Sequence, residues 1–384
     1  MSAVVEAPRS DAAENRAPAD GAEHQAPADD AEHQAPADAT ENEAPDENAQ
    51  DVADRQVVLL ADEGIENDDG DLRSLASSSQ SLNSSIFDHR FENGRTYHKY
   101  KDGKYKLPND ETENDRLDLQ HHLFRLTFNG RLANCPLLEQ DVDIGRVLDL
   151  GCGTGIWCLE IGDEHPEAVI LGVDLSPTMP EFVAPNVKFE IDDIEESWTY
   201  TKPFDYIHSR MMNSTIGDWD AYVKQAYDHL NPGGWLELNE CDIAPVSDDG
   251  TLREDSSICE SVRLLKSAAE QFGRPFKYMS GLKTTLRNAG FVDVQLLQFK
   301  WPTNPWPADP RYKELAEWMS ENLATGWEGV CLAMLTRAHG WTREEVIVFM
   351  AQCRAEFRNK HIHAYFSIWS VYGRKPTEAE LSSA

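Results

Sequence analysis

The feature that most constrains the fold is a short aliphatic run leading straight into three glycines at alternate positions. The run is 147–150, which consists of three aliphatic residues and one acid. Gly151, Gly153 and Gly155 follow it. It predicts a buried parallel strand, and residues 156–161 predict the helix that follows. Glycines let a ligand approach the backbone without a Cβ atom in the way. Because the turn joins a strand end to the positive end of a helix, it indicates a nucleotide-type cofactor loop on a doubly wound α/β fold.

The spacing of the glycines separates two classes of cofactor. Dinucleotide-binding loops follow G-x-G-x-x-G, whereas here the third glycine comes one residue early. An acid, Asp149, also stands two residues before the first glycine. The string Asp149-x-Gly151-x-Gly153-x-Gly155 resembles the first motif of class I S-adenosylmethionine-dependent methyltransferases. This resemblance implies S-adenosylmethionine as the cofactor, in preference to a nicotinamide or a flavin.

Residues 1–85 are predicted to form a disordered acidic tail. The nine-residue unit Ala17–Gln25 is repeated at Ala26–Gln34 and, less faithfully, at Ala35–Glu43. The unit is too short for a solenoid and has no large apolar side chain to bury. Residues 1–90 hold 22 acidic and 5 basic residues, a net charge of −17, so residues 91–384 carry the other −16 of the total −33.

The acidic balance argues against a nucleic-acid partner, because phosphate binding requires a basic face. One basic string, His98–Lys106, is either a solvated loop or a local patch. Seven scattered cysteines without a C-x-x-C pair suggest neither a metal site nor a disulfide framework. No run of 18 apolar residues predicts a membrane span. These features predict a soluble, cytoplasmic protein.

Alternating strand and helix patterns follow residue 140 and predict a mostly parallel sheet of seven strands. We divide the chain into the tail, a helical cap or lid at 86–140, and a methyltransferase domain at 141–376 that contains a helical substrate-side insert at 255–358. In the cap, a helix is predicted from about Asp110 to Leu126. The predicted strands are 146–150, 168–173, 187–191, 204–208, 235–239, 291–300 and an antiparallel 364–372, and the region 309–358 is predicted to be helical with breaks near Gly326 and Gly340.

Acidic residues at strand ends are the candidates for holding the cofactor. Asp174 ends the second strand, where a carboxylate can accept hydrogen bonds from both ribose hydroxyls; the alternative is a helix N-cap. Asp193 follows the third strand and is a candidate acceptor for the adenine amino group, with the backbone N–H of Ile194 beside it. Trp198 either lines the adenine site or packs in the core. The glycine loop and Asp149 are expected to hold the amino-acid end.

The span from about Asn93 to Pro376 resembles the LaeA-type methyltransferases of filamentous fungi. The matching strings are Glu92–His98, Asp115–Asp118, Asp149–Trp157, Asp174–Pro177, Leu230–Trp235 and His361–Tyr365. The resemblance implies a fungal source and a role in secondary metabolism. That role is either a tailoring enzyme of a biosynthetic cluster or a nuclear regulator that acts with velvet-type proteins.

Methyl transfer from a sulfonium is a displacement in which positioning alone can contribute about 7–11 kcal/mol. A general base would assist an oxygen nucleophile. His208, at the end of the fourth strand, is the candidate for that catalytic role, and the alternative is a structural histidine. Arg210, Asn213 and Glu240 are weaker candidates for the pocket. Tyr97 and His98 are predicted either to fold over the cofactor as a lid or to pack.

Two hypotheses follow for the function. The first is O- or N-methylation of a small-molecule intermediate. In this hypothesis the C-terminal tryptophans either build an apolar substrate pocket or serve mainly as core; they are Trp301, Trp306, Trp318, Trp327 and Trp341. The second is a regulator whose acidic tail docks protein partners. After the fourth strand the sequence is His208–Met211, which differs from the Asp/Asn-Pro-Pro-aromatic string of enzymes that methylate amino groups of bases.

Overall fold

A mostly parallel eight-stranded sheet carries the fold in the computed structural model, which describes residues 89–101, 104–139 and 144–383. The predicted disordered tail lies outside the described residues. The strands are β1 (His89–Glu92), β2 (Arg95–His98), β3 (Arg146–Leu150), β4 (Val169–Asp174), β5 (Val187–Ile191), β6 (Phe204–Arg210), β7 (Leu230–Cys241), β8 (Val246–Ser247), β9 (Val292–Pro302) and β10 (Ala364–Arg374).

The sheet order is β5-β4-β3-β6-β7-β10-β8, with β9 paired to β10. Neighbouring strands from β5 to β7 are parallel, whereas β10 runs antiparallel to β7, β8 and β9. This topology confirms the predicted doubly wound fold and the final antiparallel strand. The sheet has one strand more than predicted, because the two residues of β8 are too few to produce a pattern in the sequence.

Helices cover both faces of the sheet and build a cap over one of its ends. They are α1 (Glu111–Thr127), α2 (Ile156–Glu164), α3 (Trp219–His229), α4 (Ser257–Gln271), α5 (Leu282–Ala289), α6 (Pro310–His339), α7 (Arg343–Phe357) and α8 (Glu378–Ser383). One hydrophobic core lies among α1, α4, α6 and α7, and two others lie against the two faces of the sheet. Within the described residues, no helix is long and apolar enough to cross a bilayer.

The cap helix α1 begins at the residue that the sequence indicates. The Asp110 side chain accepts a hydrogen bond from the Glu113 backbone N–H at 3.1 Å, which satisfies one of the free donors of the first turn. The same carboxylate accepts a bond from Arg95 Nη2 at 2.7 Å. This ion pair joins the hairpin formed by β1 and β2 to α1. The described part of the cap therefore begins with a hairpin, whereas only helices were predicted there.

One of the two predicted breaks differs from the structure. The break near Gly326 is wrong, since α6 continues to His339 and ends only at Gly340, which has a φ of 69°. Gly326 instead gives room to Arg116, whose Cδ would lie 2.5 Å from a Cβ at that position. The Asn231–Gly234 string lies just beyond the end of α3 at His229, inside the long strand β7, which begins at Leu230.

Candidate active site

A cleft with a cavity volume of ≈ 190 Å³ opens at the carboxyl ends of the parallel strands. The glycine loop forms its floor, and the ends of β4, β5 and β6 form its sides. Residues from the loop before α1 and from the first two turns of α1 close it from above. The cleft therefore lies where ligands bind in doubly wound sheets.

The glycine loop has the backbone that its sequence predicts. Gly151 and Gly153 line the cleft, with φ values of 74° and 57° that favour glycine. A Cβ at Gly151 would also lie 2.7 Å from the Met212 sulfur. Gly155 has a φ of 79° and begins α2, but it packs against Phe189 and is not on the cleft surface.

Asp174 lies at the end of β4 and faces the cleft. Its two carboxylate oxygens accept hydrogen bonds at 2.9 Å from the backbone N–H groups of Gly153 and Ser176. Burial raises the pKa of this carboxyl, while the two N–H donors oppose that shift. The carboxylate thus links the glycine loop to β4 and retains lone pairs that a ligand can use.

Asp193 and Ile194 line the same cleft beyond the end of β5. The Asp193 carboxylate is almost fully buried, accepts a bond from the Glu195 N–H at 3.1 Å, and forms an ion pair with Lys104 of the cap. Trp198 donates to the Ile194 carbonyl at 2.9 Å, and its ring packs against Tyr200 in the core. Of the two alternatives for Trp198, the structure therefore shows core packing.

The cap contributes polar groups that the sequence analysis did not assign to the cofactor site. Lys104, Tyr105, Asn109 and Asn114 all line the cleft. The side-chain oxygens of Asn109 and Asn114 are buried and have no hydrogen-bond partner. Unpartnered buried acceptors are costly, so their position at the cleft surface indicates a ligand that carries hydrogen-bond donors.

A second cavity of ≈ 150 Å³ adjoins the cleft. The two cavities share wall residues that include Tyr105, Arg116, Met211 and Val330. Most of the remaining wall residues are apolar or aromatic. They include Phe272, Phe276, Trp301, Leu323, Trp327 and Phe366. Trp301 and Trp327 thus serve both as core and as pocket wall, whereas Trp306, Trp318 and Trp341 lie elsewhere.

Two polar residues at the end of the sheet face this apolar cavity. Glu240 follows the last residue of β7 that pairs with β6 and is fully buried, and its two oxygens accept bonds from the N–H groups of Met212 and Asn213 at 2.9 and 3.0 Å. Burial raises the pKa of Glu240 to about 8 in spite of these donors. Asn213 also lines the cavity, but its amide bonds the backbone at Cys241 and Lys277.

The structure does not bring His208 to either cavity, so its predicted role as a base is wrong for this geometry. The ring is 1% exposed and stacks on Trp157 with centroids 4.0 Å apart. Its Nδ1 lies 2.8 Å from the Asp149 carboxylate, and its Nε2 lies 3.3 Å from the Asn239 amide nitrogen. The second alternative for His208, a structural histidine, describes its position.

Asp149 is also away from the cleft surface. The carboxylate is 3% exposed and is held by His208 and by the Cys158 thiol, whose sulfur lies 3.3 Å away. The predicted direct contact with the amino-acid end of a cofactor is therefore not available to it. Asp149 instead supports the strand from which the glycine loop starts.

Tyr97 does not line the cleft, so of its two alternatives, a lid over the cofactor or packing, the structure shows packing. Its ring is 1% exposed, lies 4.8 Å from the Arg337 guanidinium of α6, and has a pKa that burial raises to about 12. His98 is buried as well, and its two ring nitrogens lie 2.6 and 3.2 Å from the carbonyls of Tyr100 and Tyr105. His98 therefore shapes the loop that covers the cleft without lining it.

Comparison with known proteins identifies the family. A model of the methyltransferase domain family matches residues 119–296. The methyltransferase pytC of Aspergillus terreus is 41% identical over 301 residues, which cover 78% of this chain and 92% of pytC. The secondary metabolism regulator LAE1 of Cochliobolus heterostrophus is 36% identical over 75% of this chain and 95% of LAE1. The chain belongs to the LaeA-like methyltransferase family.

This membership makes the chain an S-adenosylmethionine-dependent methyltransferase. The solved structure of phosphoethanolamine N-methyltransferase 2 from Haemonchus contortus, in complex with S-adenosylhomocysteine, is similar with a TM-score of 0.44 and 17% identity over 80% of this chain and 75% of that one. The cleft residues fit the cofactor, because its ammonium, ribose hydroxyls and adenine amino group are donors for the unpartnered oxygens of Asn109 and Asn114.

The residues missed in the sequence share one property: they come from the cap. Arg116 lines both cavities, and its guanidinium is held by Glu113 at 2.7 Å and by Asn322 at 3.0 Å. The signal that pointed to it was the Asp115–Asp118 string of the family resemblance. Asn109 and Asn114 lie beside this string, and only the packing of α1 over the glycine loop shows that they reach the cleft.

Proposed function

We propose that this enzyme methylates a hydroxyl or amino group of a small apolar molecule in fungal secondary metabolism. The observation that carries the proposal is the aromatic-lined cavity that opens directly into the cofactor cleft. Apolar walls with a few polar groups are typical of sites for small organic ligands. The 41% identity to pytC, which covers 92% of that methyltransferase, supports the same class of reaction.

The residues of the cleft would hold the cofactor by its polar edges. In this proposal Asp174 accepts from the ribose hydroxyls, Asp193 accepts from the adenine amino group, and the Ile194 N–H donates to a ring nitrogen. When bound, S-adenosylmethionine supplies a methyl group activated by a sulfonium. The loop before α1 excludes water from the cleft, since Tyr105 and Leu107 cover both cavities.

Glu240 is the group that we propose to receive the proton of the acceptor. It is a carboxylate on the wall of the apolar cavity, and its pKa of about 8 matches the range in which a general base operates near neutral pH. The backbone donors from Met212 and Asn213 fix its orientation. In this role Glu240 takes the place first assigned to His208.

Label transfer tests the proposed function. The purified protein would be incubated with methyl-labelled S-adenosylmethionine and an extract of its own organism, which is then separated into organic-soluble compounds and macromolecules. Two variants serve as controls. Asp174→Ala should bind the cofactor at least tenfold more weakly. Ala269 lies on the wall of the apolar cavity and not of the cleft, so Ala269→Phe should fill that cavity and leave cofactor affinity unchanged. Label in an organic-soluble compound that both variants lose would support the proposal.

The regulator is the second candidate, because the similarity to LAE1 extends over 95% of that protein. In this proposal the acidic tail at 1–85 docks protein partners, and the protein acts in the nucleus rather than in the cytoplasm. Label in the protein fraction, insensitive to Ala269→Phe, would favour the regulator over the tailoring enzyme. Capture of a partner that depends on residues 1–85 would favour it independently.

A further inference from the structure

Arg210 places a positive charge beside the glycine loop. It is the last residue of β6, and the preceding residue, Ser209, is paired with Leu150 at the end of β3. Arg210 lines the cofactor cleft together with Gly151 and Gly153. It therefore lies on the side of the loop away from β4 and β5, whose ends carry Asp174 and Asp193.

The guanidinium has only neutral partners. Its Nη1 donates to His121 Nδ1 at 3.2 Å, and it lies 4.9 Å from the centre of the Phe124 ring. Among the described residues, no carboxylate forms an ion pair with it, and burial lowers its pKa. The charges of Asp149, Glu160 and Asp118 oppose this shift, but none of these carboxylates contacts the guanidinium. A partly buried charge without a contacting counter-ion is costly, and a guanidinium has five donors to satisfy.

The nearby acids are already engaged. The Asp149 carboxylate is held by His208 and Cys158, and Asp118 accepts a bond from Thr154 at 2.6 Å. Glu160 lies 3.0 Å from His121 Nε2 and 3.1 Å from Arg125. Relaxation of the apoprotein into an ion pair with Arg210 would thus break an existing contact.

His121 fixes the direction of the guanidinium. The imidazole is 2% exposed, and burial, reinforced by the charge of Arg210, lowers its pKa to about 3. The ring is therefore neutral at physiological pH, with its proton on Nε2, which leaves Nδ1 free to accept from Arg210. This contact uses one donor of Arg210, and the donors that remain are available to the cleft.

We propose that Arg210 binds the α-carboxylate of the methionine portion of S-adenosylmethionine. The carboxylate is the only anionic group of the cofactor, and a guanidinium recognises it by a charge-assisted, bidentate pair. With ribose and adenine at Asp174 and Asp193, as proposed above, the amino-acid end extends over the glycine loop toward β6. Arg210 then supplies the anchor that was first assigned to Asp149.

Binding of two ligands that differ in this carboxylate tests the inference. S-adenosylhomocysteine has the amino-acid end, whereas 5′-methylthioadenosine lacks it and keeps the adenosine. In calorimetry on the full chain, Arg210→Met should weaken binding of S-adenosylhomocysteine by more than tenfold and change that of 5′-methylthioadenosine by less than twofold. Arg210→Lys keeps the charge but loses the bidentate geometry, so it should fall between Arg210→Met and the wild type.

Arg125→Met is the matched control, because Arg125 lies on the same helix as His121 and outside the cleft. It should leave both affinities unchanged. The thermal midpoint of each variant without ligand identifies a folding defect; Arg210→Met removes an unpaired charge and should not lower it. Equal weakening of both ligands, or no weakening of S-adenosylhomocysteine in a folded Arg210→Met protein, would overturn the assignment. Failure of the acceptor proposal would leave these binding results unaffected.

Discussion

At the scale of single residues, strand ends were more predictable than strand interiors. Asp174, Asp193 and Ile194 face the cleft as predicted, because residues just beyond parallel strands meet at one edge of the sheet. The predicted position of His208 at the cleft was wrong, because His208 is paired with Asp149 in the register of β3 and β6. The two side chains therefore contact each other inside the sheet. One sequence does not contain the register between strands that are distant in the chain.

The buried carboxyl of Glu240 predicts a dependence of stability on pH. Its pKa rises from 4.5 to about 8 on folding, so the folded state holds a proton that the unfolded state releases. The contribution of Glu240 to stability is therefore full below pH 4.5 and falls as pH rises toward 8, by about 1.4 kcal/mol for each unit of pKa difference.

Glu240→Gln should remove this part of the pH dependence, since the amide does not ionise. Urea unfolding at several pH values between 6 and 9 measures this dependence. The readout is the slope of the free energy of unfolding against pH, and not its absolute value. The substitution places an amide NH₂ group near the Met212 or Asn213 donor, so some loss at every pH is expected. Equal slopes in the two proteins would show that Glu240 is ionised throughout this range.

At the scale of elements, the loop before α1 connects the cap to the cleft. Lys104 forms an ion pair with the buried carboxylate of Asp193, whereas Lys101 pairs with Glu196, which is 53% exposed. A buried carboxylate that loses its partner is destabilised far more than an exposed one. The two lysines of one loop therefore provide a matched pair for mutation.

Lys104→Ala should speed dissociation of S-adenosylhomocysteine about three- to tenfold, and Lys101→Ala should leave it within twofold. Stopped-flow displacement of the ligand measures both rates. The effect of Lys104→Ala should shrink in high salt, because screening weakens the pair in the wild type as well. Identical dissociation rates in the two variants would show that the ion pair between Lys104 and Asp193 does not hold the loop over the bound ligand.

Helix α6 shows why a glycine in a helical pattern does not by itself predict a break. Gly326 and Gly329 both lie inside α6, yet only Gly326 is in close contact with another element, namely Arg116 of α1. A Cβ at Gly329 would have its nearest neighbour, Arg95 Nη1, at 3.4 Å, an ordinary contact. The sequence shows the two glycines but not which of them faces the cap.

Alanine at the two positions should therefore give results of opposite sign. Replacement of a helical glycine by alanine favours the helix by about 1 kcal/mol, so Gly329→Ala should raise the free energy of unfolding slightly. Gly326→Ala should lower it by about 1–3 kcal/mol, because the added methyl displaces the Arg116 side chain from Glu113 and Asn322. Denaturant unfolding of both variants measures the difference, and a stabilised Gly326→Ala protein would contradict the packing argument.

At the scale of the whole molecule, charge is divided almost equally between two very different parts. Residues 1–90 carry a net charge of −17 and the rest of the chain −16, although the first part is less than a quarter of the length. The described residues that line the two cavities all lie between Lys104 and Phe366. Deletion of the tail should therefore distinguish the two proposed functions.

A variant that lacks residues 1–85 should keep the thermal midpoint and the affinity for S-adenosylhomocysteine of the full chain, because every described residue of the cleft lies beyond position 100. Removal of residues 1–85 also takes away a net charge of −17 out of −33, so turnover of a negatively charged substrate should rise at low salt and converge with that of the full chain at high salt. An uncharged acceptor should show no such change. The contrary outcome is that deletion abolishes turnover of an uncharged acceptor while cofactor affinity persists. That result would make the tail part of the substrate site, with its acidic repeats in contact with the acceptor rather than with a protein partner.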